Sequence, residues 1–146
     1  MTDSIEKGRL AIIGTVEAAD GDVSRIRIHP PYCPGLEGLD SFSHTIILYW
    51  LHLRDNDKNR RVLRVLPRRH PGAPEVGVFA SRSPSRPNPL AICVTELLKV
   101  EGCTLLVKGL DAVEGSPVVD IKPYIPRADS VPTARVPEWT SHGPPT

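Results

Sequence analysis

The sequence predicts an all-β fold, an antiparallel barrel or sandwich of seven or eight short strands. Three observations carry this. Proline supplies 16 of 146 residues, about 11% against a usual value near 5%. Each interior proline costs a helix roughly 3 kcal/mol, which argues against a protein of long helices. Val23–His29 alternates cleanly, with Val23, Arg25, Arg27 and His29 on one face and Ser24, Ile26 and Ile28 on the other. A period of two is the mark of a half-buried strand. Finally, no GxGxxG follows any apolar run, which excludes a Rossmann nucleotide site, and GxxxxGK[ST] and GxSxG are also absent.

Each element has its own warrant. Leu10–Val16 is a β-rich run, and Val23–His29 follows it until Pro30-Pro31 ends the strand. His44–His52 is the most hydrophobic stretch, and its β-branched and aromatic residues suit a strand buried on both faces, with a short helix as the alternative. Arg61–Leu66 and Val76–Ala80 read as further strands on either side of the proline-rich loop Pro67–Pro74. Leu90–Val100 is a long strand that turns at Glu101-Gly102 and returns antiparallel as Cys103–Leu110. Val118–Ile121 is the last strand, and the tail after Arg127 is expected to be irregular or partly mobile.

The length suits a single domain over residues 1–146, with its core at about 10–130. No apolar run approaches a membrane span, and Met1–Arg9 lacks the apolar centre of a signal peptide. Cys33, Cys93 and Cys103 are odd in number and show no CxxC spacing. They read as reduced cytoplasmic thiols, with Cys93 and Cys103 in core packing and no metal site. Trp50 reads as core, Trp139 as a tail anchor, and His29, His70 and His142 as surface or loop residues.

Net charge is only +1, yet residues 54–86 hold nine basic and three acidic residues, Arg68 and Arg69 among them. Such a block is either a solvated face or a hold for a phosphate backbone.

Two loops look built for a ligand. Ser81–Pro89 sets Arg82 and Arg86 four apart in a chain stiffened by three prolines, with Asn88 between two of them. Guanidinium forks grip carboxylate or phosphate, and a stiff loop loses less entropy on binding. The alternative is a surface loop whose arginines form ion pairs. The second loop is the turn Asp111–Pro117, which leads into a strand carrying Asp120. A carboxylate inside an apolar strand reads as buried and in need of a partner, and Lys122 on the same face supplies one. Tyr124 repeats the spacing, and a purely structural ion pair is the other reading.

At these loops the sequence resembles the TrmO family, also called TsaA-like or YaeB-like. The carrying strings are GVFASRSPSRPNP from Gly77 to Pro89 and LDAVEGSPVVDIKPY from Leu110 to Tyr124. Gly38–His44 (GLDSFSH), the later His52 and the pair Ile13-Gly14 add to them. The resemblance covers roughly residues 10–130. It implies an S-adenosyl-L-methionine-dependent methyltransferase with a single antiparallel seven-stranded β-barrel, working as a cytoplasmic homodimer. It further implies N6-methylation of threonylcarbamoyl-adenosine beside the tRNA anticodon, with the basic block on the anticodon stem-loop.

By position, the resemblance assigns the cofactor to His52, Arg82, Ile92 and the turn Asp111, Glu114, Gly115 and Ser116. Leu53 stands where the family's His-Gln pair has glutamine, and Glu114 where aspartate is usual. Asp120, Lys122 and Tyr124 are the candidate catalytic residues, and Arg68, Arg69, Arg86 and Asn88 the candidate RNA contacts. The family's Gln-Pro-Gly loop after the first strand is missing, since Thr15–Asp22 runs straight into the next strand. That departure keeps two rivals in view: a methyltransferase for a small-molecule or other RNA acceptor, and a non-catalytic RNA-binding module.

Overall fold

A computed structural model describes residues 5–145; the reading of Met1–Arg9 as free of a leader therefore falls partly, over residues 1–4, outside the described residues. Among the described residues eight strands form: β1 Gly14–Asp20, β2 Val23–Ile28, β3 His44–Trp50, β4 Arg64–Val65, β5 Val76–Gly77, β6 Leu90–Glu101, β7 Thr104–Lys108 and β8 Pro117–Pro123. Six of them close a barrel in the order β1-β2-β7-β6-β3-β8, and β4 and β5 make a separate two-stranded sheet. The expected seven-stranded barrel is thus corrected to six strands. The reason lies in Arg61–Leu66 and Val76–Ala80. Proline-rich Pro67–Pro74 leaves each only two paired residues, Arg64↔Gly77 and Val65↔Val76, before Val78–Ala80 turns into a 3-10 helix.

The chain divides into two units, one running through Tyr49 with Ile92–Pro123, the other Trp50–Ala91 with the tail from Tyr124. In the first, alternation dictates which side chains point inward. Ser24, Ile26 and Ile28 of β2 are buried while Arg25 and Arg27 are exposed. Ile47 from β3, Leu105 and Val107 from β7, and Val118 from β8 complete the core without exposure. A polar pair there is closed on itself: Thr45 and Thr95 join hydroxyls at 3.0 Å, and Thr95 Oγ1 also donates to the Thr45 carbonyl at 3.3 Å. Gly14 opens β1 because a Cβ would stand 2.5 Å from the Arg27 carbonyl oxygen. Asp20↔Val23 pairing makes the β1–β2 connection a tight turn through Gly21, so no long loop stands there.

Cys33 and Cys103 form a disulfide, with Cα atoms 5.2 Å apart. This corrects the reading of reduced thiols and of Cys103 as packing. The 70-residue separation gave no local pattern, but the turn Pro30–Leu36 folds back to the start of β7, where Ile28 N–H bonds the Cys103 carbonyl. Cys93 is free and only half-buried.

In the second unit the tail is docked rather than loose. Trp139 meets His70 edge to face at 5.6 Å, and His70 Nδ1 donates to the His142 carbonyl at 2.7 Å. His142 Nδ1 donates in turn to the Pro71 carbonyl at 2.6 Å. Gly143 has φ +83°, and a Cβ there would sit 1.8 Å from the Arg69 carbonyl oxygen. His70 lies in a loop, one of its two expected settings, but is buried there rather than at the surface. Trp50 is only half-buried, not core, because the Arg60 guanidinium stacks on its ring at 5.4 Å.

Candidate functional site

The second unit carries His52, Leu53, Arg68, Arg69, Arg82, Arg86, Asn88 and Tyr124; the barrel unit carries Ile92, Asp111, Glu114, Gly115, Ser116, Asp120 and Lys122.

The arginine loop is held by a ladder of serines. Ser81 Oγ donates to the Val78 carbonyl at 2.9 Å, Ser83 N–H to Ser81 Oγ at 3.3 Å, and Ser85 N–H to Ser83 Oγ at 3.3 Å. Ser85 Oγ donates to Asn59 Oδ1 at 2.8 Å and accepts from Arg54 Nη1 at 3.1 Å. Arg60 reaches the Pro87 carbonyl at 2.8 Å, and the Leu51 N–H bonds that of Pro89 at 2.7 Å. Arg86 belongs to this bracing, since its Nη1 donates to the carbonyls of Ser81 and Ser83 at 3.0 and 3.1 Å. Arg82 is exposed, and among the described residues its guanidinium has no partner. Arg68 and Asn88 are exposed as well; Arg69 is exposed and engaged.

His52 begins a 3-10 turn, His52–Arg54, and its Nδ1 is buried with no hydrogen-bond partner. A buried ring nitrogen without a partner among the described residues is costly. Within this unit His52 and Arg82 are the side chains that could hold polar groups of a ligand. Leu53 is exposed and offers no hydrogen bond to add to them.

In the barrel unit the Asp111–Ser116 turn is fixed at both ends. Tyr49 Oη donates to the Asp111 carbonyl. Gly115 has φ +89°, its N–H bonds the Val16 carbonyl at 2.7 Å, and buried Ser116 donates to the Val113 carbonyl at 2.7 Å. Glu114 is exposed, and Ile92 faces outward from β6.

Asp120 and Lys122 come together as the spacing implied, at 3.0 Å. The Asp120 side chain is 47% exposed, however, so the expectation of a buried carboxylate is corrected. The strand face it shares with Lys122 looks outward, while Val118 takes the core position. Asp120 Oδ1 also accepts from Ile121 N–H at 2.9 Å. Tyr124 lies one residue past the end of β8 and is half-buried. Sequence reasoning missed Asn59, Arg60 and Tyr49, whose roles depend on partners 26 to 62 residues away. Only the Asn56 cap of Asp57–Arg60 left a local signal.

Barrel and loops together define a β-barrel protein whose polar chemistry sits on braced loops and a strand end, with no Rossmann sheet. The chain belongs to the family of the tRNA-methyltransferase O N-terminal domain, which it matches over residues 15–130. A probable S-adenosyl-L-methionine-binding protein of Methanothermobacter thermautotrophicus is 50% identical over 108 residues, 74% of either chain. The tRNA (adenine(37)-N6)-methyltransferase of Escherichia coli K12 is 40% identical over 127 residues, 83% of this chain and 52% of that enzyme. The crystal structure of TrmO from P. aeruginosa superposes with a TM-score of 0.71 at 26% identity, covering 92% of this chain and 62% of that one. The chain thus spans about half to three-quarters of the length of these three proteins.

Proposed function

We propose that the protein is an S-adenosyl-L-methionine-dependent methyltransferase acting on N6 of a modified (threonylcarbamoyl) adenosine beside the tRNA anticodon. The observation that carries this reading is the contrast within one loop: Arg86 is engaged in bracing, and Arg82 is held outward with its guanidinium free. The family membership and the E. coli relative's name support the choice of reaction. When bound, the cofactor supplies a methyl group on a sulfonium sulfur, open to in-line displacement. Arg82 would hold its carboxylate, and His52 Nδ1 would be the other polar contact from that unit. The turn Asp111, Glu114, Gly115 and Ser116, with the Ile92 backbone, receives its adenosine.

Asp120 would accept the N–H of the acceptor and take up its proton as general base. Lys122 holds that carboxylate in place. Positioning, rather than strong acid–base power, is the chain's main contribution. Arg68, Arg69 and Asn88 meet the anticodon stem-loop, and Tyr124 borders the acceptor. The protein acts as a homodimer in the cytoplasm, where a bridge such as Cys33–Cys103 is uncommon. One observation favours a second acceptor class: the tight β1–β2 turn has no Gln-Pro-Gly loop, which suits a smaller or different substrate.

Calorimetric titration with S-adenosylmethionine tests the cofactor half. Wild type is expected to bind, and Arg82→Ala to bind about 10- to 100-fold more weakly, the worth of a charge-assisted hydrogen bond. Asp120→Asn is expected to bind the cofactor normally and to lose methyl transfer to tRNA. No binding by wild type removes the proposal; full turnover by Asp120→Asn removes Asp120 from the mechanism.

A further inference from the structure

Phe79 is the most exposed aromatic side chain among the described residues, at 78% against 42% for Tyr32 and 36% for Phe42. Aromatic rings normally bury most of their surface. A loose loop would explain the exposure, but the turn Val78–Ala80 is fixed. Val78 is 1% exposed and its N–H bonds the Leu63 carbonyl at 2.8 Å. Ser81 donates to the Val78 carbonyl twice, from N–H at 3.1 Å and from Oγ at 2.9 Å. The ring is therefore held out in water by an anchored neighbour. Leu63, joined to that turn, is itself 61% exposed.

The surrounding charge is positive. Lys58 and Arg61 stand three apart at the end of the short helix Asp57–Arg60, exposed and free among the described residues, and Arg61 lies two residues before Leu63. Residues 54–86 hold three acids. Arg60 engages Asp55 at 2.6 Å and Arg64 engages Glu75 at 2.7 Å, which leaves Asp57 alone to offset the free cations. A second copy seated symmetrically on this surface would set Lys58 and Arg61 against the same cations of its partner. An exposed ring beside free cations fits a single-stranded nucleic acid, which offers a base face to the ring and phosphates to the cations. A paired duplex hides the face that the ring would meet.

We propose that Phe79 is a stacking platform for an unpaired base of the RNA acceptor, with Lys58 and Arg61 on the flanking phosphates. The proposal rests on the RNA-methylating reading and adds to it a surface that holds the RNA strand.

The test uses the 146-residue chain, an anticodon stem-loop RNA and a duplex RNA of equal length, with S-adenosylmethionine titrated separately. Phe79→Leu keeps apolar bulk and removes the ring face. It is expected to weaken stem-loop binding about 5- to 100-fold, the worth of one stacked base, with the salt dependence unchanged. Phe79→Trp should bind as wild type does, and duplex affinity should not respond to either change. Lys58→Gln and Arg61→Gln should each lower the slope of log affinity against log salt by about 0.7. Unchanged stem-loop affinity in Phe79→Leu overturns the proposal, as does an equal loss on the duplex or no RNA binding by wild type. A matching loss of cofactor affinity overturns it by assigning the ring to the donor site, and a fall in sedimentation coefficient by assigning it to a contact between copies. Failure of wild type to bind S-adenosylmethionine refutes the methyltransferase reading instead, and the stem-loop measurement still decides the role of Phe79.

Discussion

Arg82 and Arg86 share a loop and a residue type, and only their partners separate them. The same holds across the basic block. Arg54, Arg60, Arg64 and Arg86 are paired to protein groups, whereas Lys58, Arg61, Arg68 and Arg82 are free among the described residues. A charge count cannot make this division, because the partners Ser85, Pro87 and Glu75 lie 11 to 31 residues away. Asp55 shows what the paired set does. It accepts from Arg60 Nε at 2.6 Å and from Trp50 Nε1 at 3.0 Å, and these two hydrogen bonds hold its carboxyl below the ordinary 3.8. A depressed folded-state pKa contributes stability that is present above the unfolded value and lost as pH falls through the folded one. Trp50 fluorescence is therefore expected to change on acidification below the ordinary carboxylate range, as Asp55 protonates and releases the ring. Asp55→Asn should abolish that acid transition and loosen the Arg60 brace at Pro87. An unchanged titration in the variant would assign the transition to another group.

Among the elements, β2 and the β6–β7 hairpin were legible because period-two burial and a Glu-Gly turn are local signals. The fates of Arg61–Leu66 and Val76–Ala80 were not, because a β-rich run says nothing about which edge it meets. The disulfide was illegible for the same reason: pairing across 70 residues is a property of the closed barrel, not of spacing. Its energetic weight follows from that length. Cross-linking a loop of this size removes enough unfolded-state entropy for about 4 kcal/mol in the chain-entropy account, and measured bridges commonly deliver 2–4 kcal/mol. Cys33→Ser/Cys103→Ser is expected to lower the free energy of unfolding in urea by about that amount, and dithiothreitol to shift wild type equally. Superimposable curves with and without reductant would show that the thiols are unpaired in solution.

For the molecule as a whole, the unanswered question is what covers the outside of β6. Ile92, Val94 and Leu98 stand on it, 51%, 49% and 45% exposed, with exposed Glu96 between Val94 and Leu98. Polar residues would normally occupy an outer face of this kind, and an apolar row on a barrel exterior is the pattern of a surface that meets another surface. A second copy, as in the homodimer proposed above, is the occupant to test. A two-fold contact along one strand face would bury the row against itself, so a single substitution acts twice per interface. Val94→Lys is the suited probe, because Val94 has no place in the donor or acceptor machinery and its outward position tolerates a charge in the monomer. Sedimentation velocity should find wild type at about twice its 16.0 kDa and Val94→Lys at 16.0 kDa, with the same thermal unfolding in far-ultraviolet circular dichroism once concentration is matched low. A monomeric wild type would leave the row without a self-partner, and a Val94→Lys protein that still pairs would move the contact elsewhere on the chain.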